Sequence, residues 1–362
     1  MAGETPLTIR EVHARPLDVP LSRPVQTAAG DIASAPVVLI DVVTQEGIVG
    51  HSYLRTYTPV ALPALARLVY DIGLMLAGES AAPNAVERKL QAHFRLLGIE
   101  GLTGMAIGGI DMALWDARGK AAGQPLISLL GGRPGSVPAY VTLPSMDPGA
   151  VAADAAQAVT AGFDALKIKL GLGDVAADVE MIRAVRGAVG EEIALMVDYN
   201  QALTVRDALE RVPALDAEGL HWIEEPTRAD DDAGHAQIAE AASTAIQLGE
   251  NWWSREAMSR SVAARACDHV MLDAARIGGV TGWLRATTVA VRAKLPVSSH
   301  AYPEISTHLL RVTPTAYRLE YTDQLNAIMR NRVRIVQGHA VFADVPGTGI
   351  EWDEARIASL GQ

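Results

Sequence analysis

The chain has 362 residues, 49% hydrophobic and 20% charged, with a formal net charge of −11 and one cysteine, Cys267. That apolar content excludes a disordered chain, the length calls for two domains or a barrel with a smaller partner, and the acidic balance excludes the basic stripe of a nucleic-acid binder. No intramolecular disulfide can form, Met1–Arg15 lacks a basic-then-apolar leader, and apolar runs such as Val37–Ile40 are too short to span a bilayer; a cytoplasmic protein without nucleic-acid or membrane partners is expected.

From Leu7 to about Gly50 the sequence alternates and favours β-branched residues, with Gly47 and Gly50 as punctuation, which predicts an antiparallel meander. From about Val60 to Lys120 the apolar residues recur at helical spacing. The run Met105–Lys120 reads as a buried helix whose glycines permit close approach, ended by Gly123 and Pro125. Residues 1–130 are thus expected to form an α+β capping domain.

From about Val137 short β-rich runs alternate with longer amphipathic ones. Strands are predicted at 139–142, 165–169, 194–197, 221–223, 245–248, 269–272, 296–299 and 318–319, with helices such as 175–189 and 205–218 between them. Eight β-then-α units predict an α/β fold, a (β/α)8-type barrel over 131–330 with an irregular last unit. Residues 331–362 alternate again around the turn Pro346-Gly-Thr-Gly and are expected to pack back on the capping domain.

Seven of the eight predicted strands end in an ionisable residue: Lys167 and Lys169, then Asp198, Glu224, Glu250, Asp273, His300 and Glu320. From Lys169 the steps are 29, 26, 26, 23, 27 and 20 residues, about one β/α unit each. The strands of a parallel barrel point one way, so these groups converge on the C-terminal mouth, where such barrels keep their active sites.

Asp198, Glu224 and Glu250 end three successive strands. Without a cation they would repel and raise each other's pKa; an oxygen-only set suits a hard cation, and Mg²⁺ needs only a few carboxylates. Lys167 and Lys169 lie two apart on a strand and face one side. Mutual repulsion predicts a lysine pushed from about 10.4 toward roughly 7–8, fit to serve as a general base. His300 and Asp273 end neighbouring strands, and a carboxylate on one ring nitrogen raises the basicity of the other. Glu320 is expected to be held protonated by burial and to donate a hydrogen bond to developing negative charge. Glu225, next to Glu224, is expected to point the other way. Ile277-Gly-Gly-Val-Thr-Gly lacks a phosphate-loop pattern and reads as a helix start.

In this order the set resembles the mandelate racemase group of the enolase superfamily over nearly the whole chain. The densest stretches are Met196-Val-Asp-Tyr-Asn-Gln, Trp222-Ile-Glu-Glu-Pro-Thr, Leu248-Gly-Glu-Asn-Trp, Arg276-Ile-Gly-Gly-Val-Thr-Gly-Trp, and Ser298-Ser-His followed by Glu304-Ile-Ser-Thr-His-Leu-Leu. The resemblance implies that Asp198, Glu224 and Glu250 bind Mg²⁺, which holds a substrate carboxylate oxygen and stabilises an enediolate. It implies Lys169 as base on one face of the α-carbon and His300, supported by Asp273, on the other. Lys167 and Glu320 would bind the carboxylate, Thr142 would supply a hydroxyl beside it, and Asn200 would lie at the α-hydroxyl.

The segment from Val25 to Ile32 resembles an apolar lid over the distal part of the substrate, shared with Tyr57. Here Ala29 and Asp31 change its size and polarity, and Arg55 adds a charge two residues before Tyr57. The implied reaction is mandelate-type racemisation of a small-molecule 2-hydroxy carboxylate. The rival is dehydration of an acid sugar in the same site, with His300 expelling a β-hydroxyl. Apolar Val25, Ile32 and the Tyr57 region speak against a polyol; Arg55 and Asp31 leave it open. The resemblance also implies a homo-oligomer, as an octamer.

Overall fold

A computed structural model describes residues 6–27, 30–341 and 344–360. The capping sheet is an antiparallel meander of β1 (Ile9–Thr27), β2 (Gly30–Thr44) and β3 (Val49–Arg55). Four helices follow: α1 (Leu62–Leu76), α2 (Pro83–His93), α3 (Gly101–Ala121) and the short α4 (Leu126–Leu129). The run Pro59–Leu76 has the length and apolarity of a membrane span. Its Leu65, Val69, Ile72 and Leu76 are buried in the core beside β1 instead, and Arg67 and Asp71 pair on its outer face.

Helix α3 is apolar all round because it lies between the capping sheet and the barrel. A Cβ on Gly109 would come within 2.8 Å of Ile40 and Leu54 side chains, and one on Gly108 would stand 2.2 Å from the carbonyl oxygen of Ala275, on the barrel. Backbone cannot yield as a flexible side chain can. Gly108→Ala is therefore expected to cost about 1–3 kcal/mol, read as a lower urea midpoint at unchanged slope.

The barrel begins with β4 (Val137–Thr142) and continues through α5 (Pro148–Thr160), β5 (Ala165–Lys169), α6 (Val175–Val189), β6 (Ala194–Asp198), α7 (Val205–Asp216), β7 (Ile223–Glu224) and α8 (Asp232–Ala241). It runs on through β8 (Ile246–Leu248), α9 (Arg255–Ala263), β9 (His269–Asp273), α10 (Gly279–Ala293), β10 (Val297–His300), α11 (Pro303–Arg311) and β11 (Ala316–Tyr321). These eight strands are parallel neighbours, and β11 pairs with β4, Leu319 opposite Ala139, which closes the ring. Asp147, Asp174, Thr204, Asp231 and Ser254 start their helices by accepting the backbone N–H three residues on. Tyr140, Ala165, Met196, Trp222 and Met271 form a buried cluster of their own on the inward positions of the strands, so the barrel is packed and not a pore.

After the barrel, β12 (Arg334–Val336) and β13 (His339–Val341) form a hairpin that adds antiparallel to the start of β4. The chain then returns to the capping sheet: Trp352 Nε1 donates to Asp41 at 2.8 Å, and Glu354, in α12 (Glu354–Leu360), accepts from Arg15 at 2.7 Å.

Two further contacts fix the capping domain on the barrel. The β1–β2 hairpin reaches the loop after β4: the Gln26 N–H donates to the Pro144 carbonyl, and Gln26 Oε1 accepts from the Met146 N–H, both at 2.8 Å. Val25 and Ile32 pair across the hairpin end; Ala29 lies outside the described residues. On the other side, Asp111 of α3 accepts from the Thr281 N–H of α10 at 2.9 Å and from its hydroxyl at 2.5 Å. Burial pushes the Asp111 carboxyl up to about 7, against those hydrogen bonds. A carboxyl that binds its proton more tightly when folded contributes stability that is complete below about pH 4 and lost as pH rises through 7. Asp111 alone is expected to lower stability by up to about 1.4 kcal/mol per pH unit across that window, and Asp111→Asn should flatten this part of the urea midpoint against pH.

Candidate active site

Strand register sets the functional side chains in rows at the barrel mouth. Lys169 is opposite Asp198, Asp198 opposite Glu224, and Asp273 opposite His300. Glu250 follows Gly249, whose φ of +132° and a would-be Cβ 2.3 Å from the Met271 carbonyl admit only glycine. That turn carries Glu250 inward. One carboxylate oxygen from each of Asp198, Glu224 and Glu250 lies within 4.8 Å of the others, and all three residues are buried. Burial, Asp198 and Glu250 raise the Glu224 carboxyl to about 8, although Lys167 opposes them. Three buried carboxylates this close call for a cation, and an all-oxygen set fits Mg²⁺.

Lys167 differs from the sequence expectation. Burial alone would lower its pKa, but its ammonium stands 2.5 Å from Glu224, 3.2 Å from Glu320 and 3.7 Å from Asp198, and these hold it well above the usual lysine range. The carboxylates outweigh the repulsion of the second lysine, so Lys167 is a fixed cation. Lys169 is 3.3 Å from Asp198 and donates to Asn200 Oδ1. Asn200 gives its amide Nδ2 to Asp198 at 2.9 Å. Both ends of its side chain are thus engaged with Lys169 and Asp198.

His300 Nδ1 is 2.7 Å from Asp273 Oδ2, and Asp273 Oδ1 accepts the N–H groups of Ala275 and Arg276, each at 2.9 Å. An acceptor so held fixes the proton on Nδ1 and leaves Nε2 toward the cup. Nε2 is 3.6 Å from Glu250 and 3.9 Å from Glu320. Burial would lower the His300 pKa, yet Glu250, Asp273 and Glu320 together raise it.

Glu320 also departs from expectation. Burial pushes its carboxyl up, but Lys167 and then His300 pull harder, and Thr142 Oγ1 at 2.7 Å and the Ala301 N–H at 3.0 Å donate to it. It is an ionised acceptor well below the usual range, and Thr142 is its donor. A neutral Glu320 would need an apolar surround; a buried lysine stands there instead.

Sequence reasoning missed a second tier. Glu225 has φ +39°, and its buried carboxyl accepts from Asn251 Nδ2 at 2.6 Å. Burial and Glu250 raise it well above the usual carboxylate range. Arg276 holds the Glu250 carbonyl at 3.0 Å and also donates to Asn251 Oδ1. The Arg276 guanidinium lies 4.8 Å from the Tyr57 ring centre and that of Arg55 4.9 Å. Tyr57 in turn stacks along the His300 ring, 6.3 Å centre to centre with 15° between planes. Tyr57, Asn200, Glu225, Ala301 and Tyr302 all have left-handed backbone, a strain that gathers at this mouth. The only sequence signal for Arg276 was its place at the head of Arg276-Ile-Gly-Gly.

Residues 150–356 match the enolase C-terminal domain-like family, and residues 9–131 match the N-terminal domain of the mandelate racemase / muconate lactonizing enzyme family. A solved enolase structure from Bradyrhizobium, complexed with magnesium and mandelic acid, is 42% identical over 99% of both chains with a TM-score of 0.93. The L-talarate/galactarate dehydratase of Salmonella typhimurium is 30% identical over 98% of this chain and 91% of its own length. The 3,6-anhydro-alpha-L-galactonate cycloisomerase of Streptomyces coelicolor is 28% identical over 94% of this chain and 96% of its own.

Proposed function

The chain belongs to the enolase superfamily as a magnesium-dependent enzyme of the mandelate racemase / muconate lactonizing enzyme family, and from that premise we propose that it removes the α-proton of a 2-hydroxy carboxylate and returns a proton to the opposite face. The observation that carries this reading is the pair Lys169 on β5 and His300 on β10, with Asp198 on β6, Glu224 on β7 and Glu250 just past the end of β8 between them. A base on each side of a carbon is what inversion requires.

Asp198, Glu224 and Glu250 would hold Mg²⁺, which when bound supplies positive charge for the substrate carboxylate as its α-carbon loses a proton. Lys167, fixed as a cation, binds the same carboxylate. Lys169 takes the proton from one face as the neutral amine, its Nζ placed by Asn200 and Asp198. His300 works from the other, with Asp273 keeping the proton on Nδ1 so that Nε2 does the exchange. Glu320 sits between Lys167, His300 and Thr142 and holds them in place. General acid–base help of this kind is worth about 10²–10⁴-fold.

A second reading has its own support. The same carboxylates that raise the His300 pKa favour a protonated imidazole, the form that expels a β-hydroxyl, and a relative covering 98% of this chain is named a dehydratase. Incubation with Mg²⁺ and single enantiomers of mandelate, followed by polarimetry and a keto-acid assay with acid sugars alongside, separates the two. Loss of rotation without keto acid supports racemisation. Keto acid from an acid sugar, with mandelate untouched, replaces it by dehydration.

A further inference from the structure

Strand β3 of the capping domain ends against the turn that follows His300. The Tyr53 hydroxyl donates to Glu304 Oε2 at 2.9 Å, in the first turn of α11, and the Arg55 backbone N–H donates to the Tyr302 hydroxyl at 3.1 Å. The Tyr53 and Tyr302 rings stack, 4.8 Å between centres and 25° between planes. Tyr53, Tyr302 and Glu304 are all buried, so solvent does not compete for these contacts.

That turn needs holding. Ala301 and Tyr302 both have φ of +49° and neither is glycine. Two such residues in a row persist only where their surroundings impose them. On the barrel side, the Ala301 N–H donates to Glu320 and the Ala301 carbonyl accepts from the Ser306 hydroxyl, each at 3.0 Å. On the capping side, the restraints are Tyr53 and Arg55. Burial raises the Tyr302 hydroxyl, and Asp273 and then Tyr57 add to it. Asp273 bonds His300 and Tyr57 stacks along it, so the turn borders both groups that orient this base. Glu304 has no part in the reaction read above. Burial pushes its carboxyl up to about 7, against hydrogen bonds from its own backbone N–H and from Tyr53. Lys169 is placed from within the barrel, by Asp198 and Asn200. The contacts of β3 therefore bear on one base and leave the other alone.

We propose that Tyr53 and Glu304 are positioning residues for His300: they lock the strained turn behind it to the capping strand, so that the capping domain governs proton transfer on the His300 face of the substrate and not on the Lys169 face. The kinetic readout rests on the two-base reading; a second readout is independent of turnover. Tyr53→Phe keeps the ring stack and removes only the hydroxyl. With Mg²⁺ in D₂O, exchange of the α-proton from the enantiomer that His300→Asn silences is expected to fall about tenfold in this variant, while exchange from the other enantiomer stays within about twofold of the parent. Glu304→Leu should do the same. Glu304→Gln, whose amide oxygen still accepts from Tyr53, should stay near the parent, and the Tyr53→Phe/Glu304→Leu double variant should lose no more than either single one. A general loosening of the fold would slow both faces together. Acylation of His300 by diethyl pyrocarbonate, read by peptide mass spectrometry against the exposed His13, should rise about twofold or more in Tyr53→Phe and Glu304→Leu and stay at the parent value in Glu304→Gln. Raised acylation in a protein that exchanges no α-proton sinks the two-base reading and leaves the positioning role standing. Equal change on both faces, or His300 acylation unaltered in Tyr53→Phe and Glu304→Leu, overturns the proposal.

Discussion

Lys169→Ala is expected to abolish exchange of the α-proton from one enantiomer of a 2-hydroxy acid while exchange from the other survives, and His300→Asn to do the reverse. The two groups come from different strands, β5 and β10, and each is held by its own partners. Lys169 is placed by Asp198 and Asn200, and His300 by Asp273. Removing one leaves the geometry of the other in place. Racemisation, which needs both, should fall by at least about 10²–10⁴-fold in either variant, whereas proton loss to solvent continues on the intact side. NMR of each enantiomer in D₂O reads this directly. Equal loss of exchange from both enantiomers in each variant would mean that one base serves both faces.

Removal of magnesium should abolish turnover and lower the melting temperature, and Glu250→Gln should erase the difference. Of the three clustered carboxylates, Glu250 has no lysine partner among the described residues; its nearest ionic neighbour there is His300 at 3.6 Å, while Lys167 and Lys169 stand on Glu224 and Asp198. A neutral amide there leaves the lysine pairs intact and removes one of three repelling charges. The metal-free variant should therefore melt no lower than the metal-free parent. A cation at about a hundred times its dissociation constant adds roughly 2.7 kcal/mol to the parent, and that gain disappears in Glu250→Gln. An undiminished magnesium-induced rise in the variant would place the ion elsewhere.

Much of this site was legible in the sequence, because a parallel barrel turns regular spacing into shared position. One ionisable residue per β/α unit from Lys169 to Glu320 is a pattern in the chain, and the closed ring with its in-register strand ends is the same pattern in space. The hairpin of β1 and β2 was likewise readable from its alternation. What the sequence did not carry is the charge state. Two lysines two residues apart suggested mutual depression, and Glu320 suggested a neutral acid. The answer depended on distances between β5, β7 and β11, where Lys167 sits among Glu224, Glu320 and Asp198. Nor did it carry the left-handed residues. Glu225 and Asn200 turn to positive φ just past the strands that carry Glu224 and Asp198, and no residue type there announces it. Arg55 was visible as a charge beside an apolar lid, but its place over the Tyr57 ring comes from the fold.

The most direct test of the account is the α-proton signal of a 2-hydroxy carboxylate followed by NMR in D₂O with the intact protein, with and without Mg²⁺. The account predicts that the signal disappears in a magnesium-dependent manner. An α-proton that persists across aryl, aliphatic and sugar-derived hydroxy acids, in protein shown to hold the metal, would contradict it.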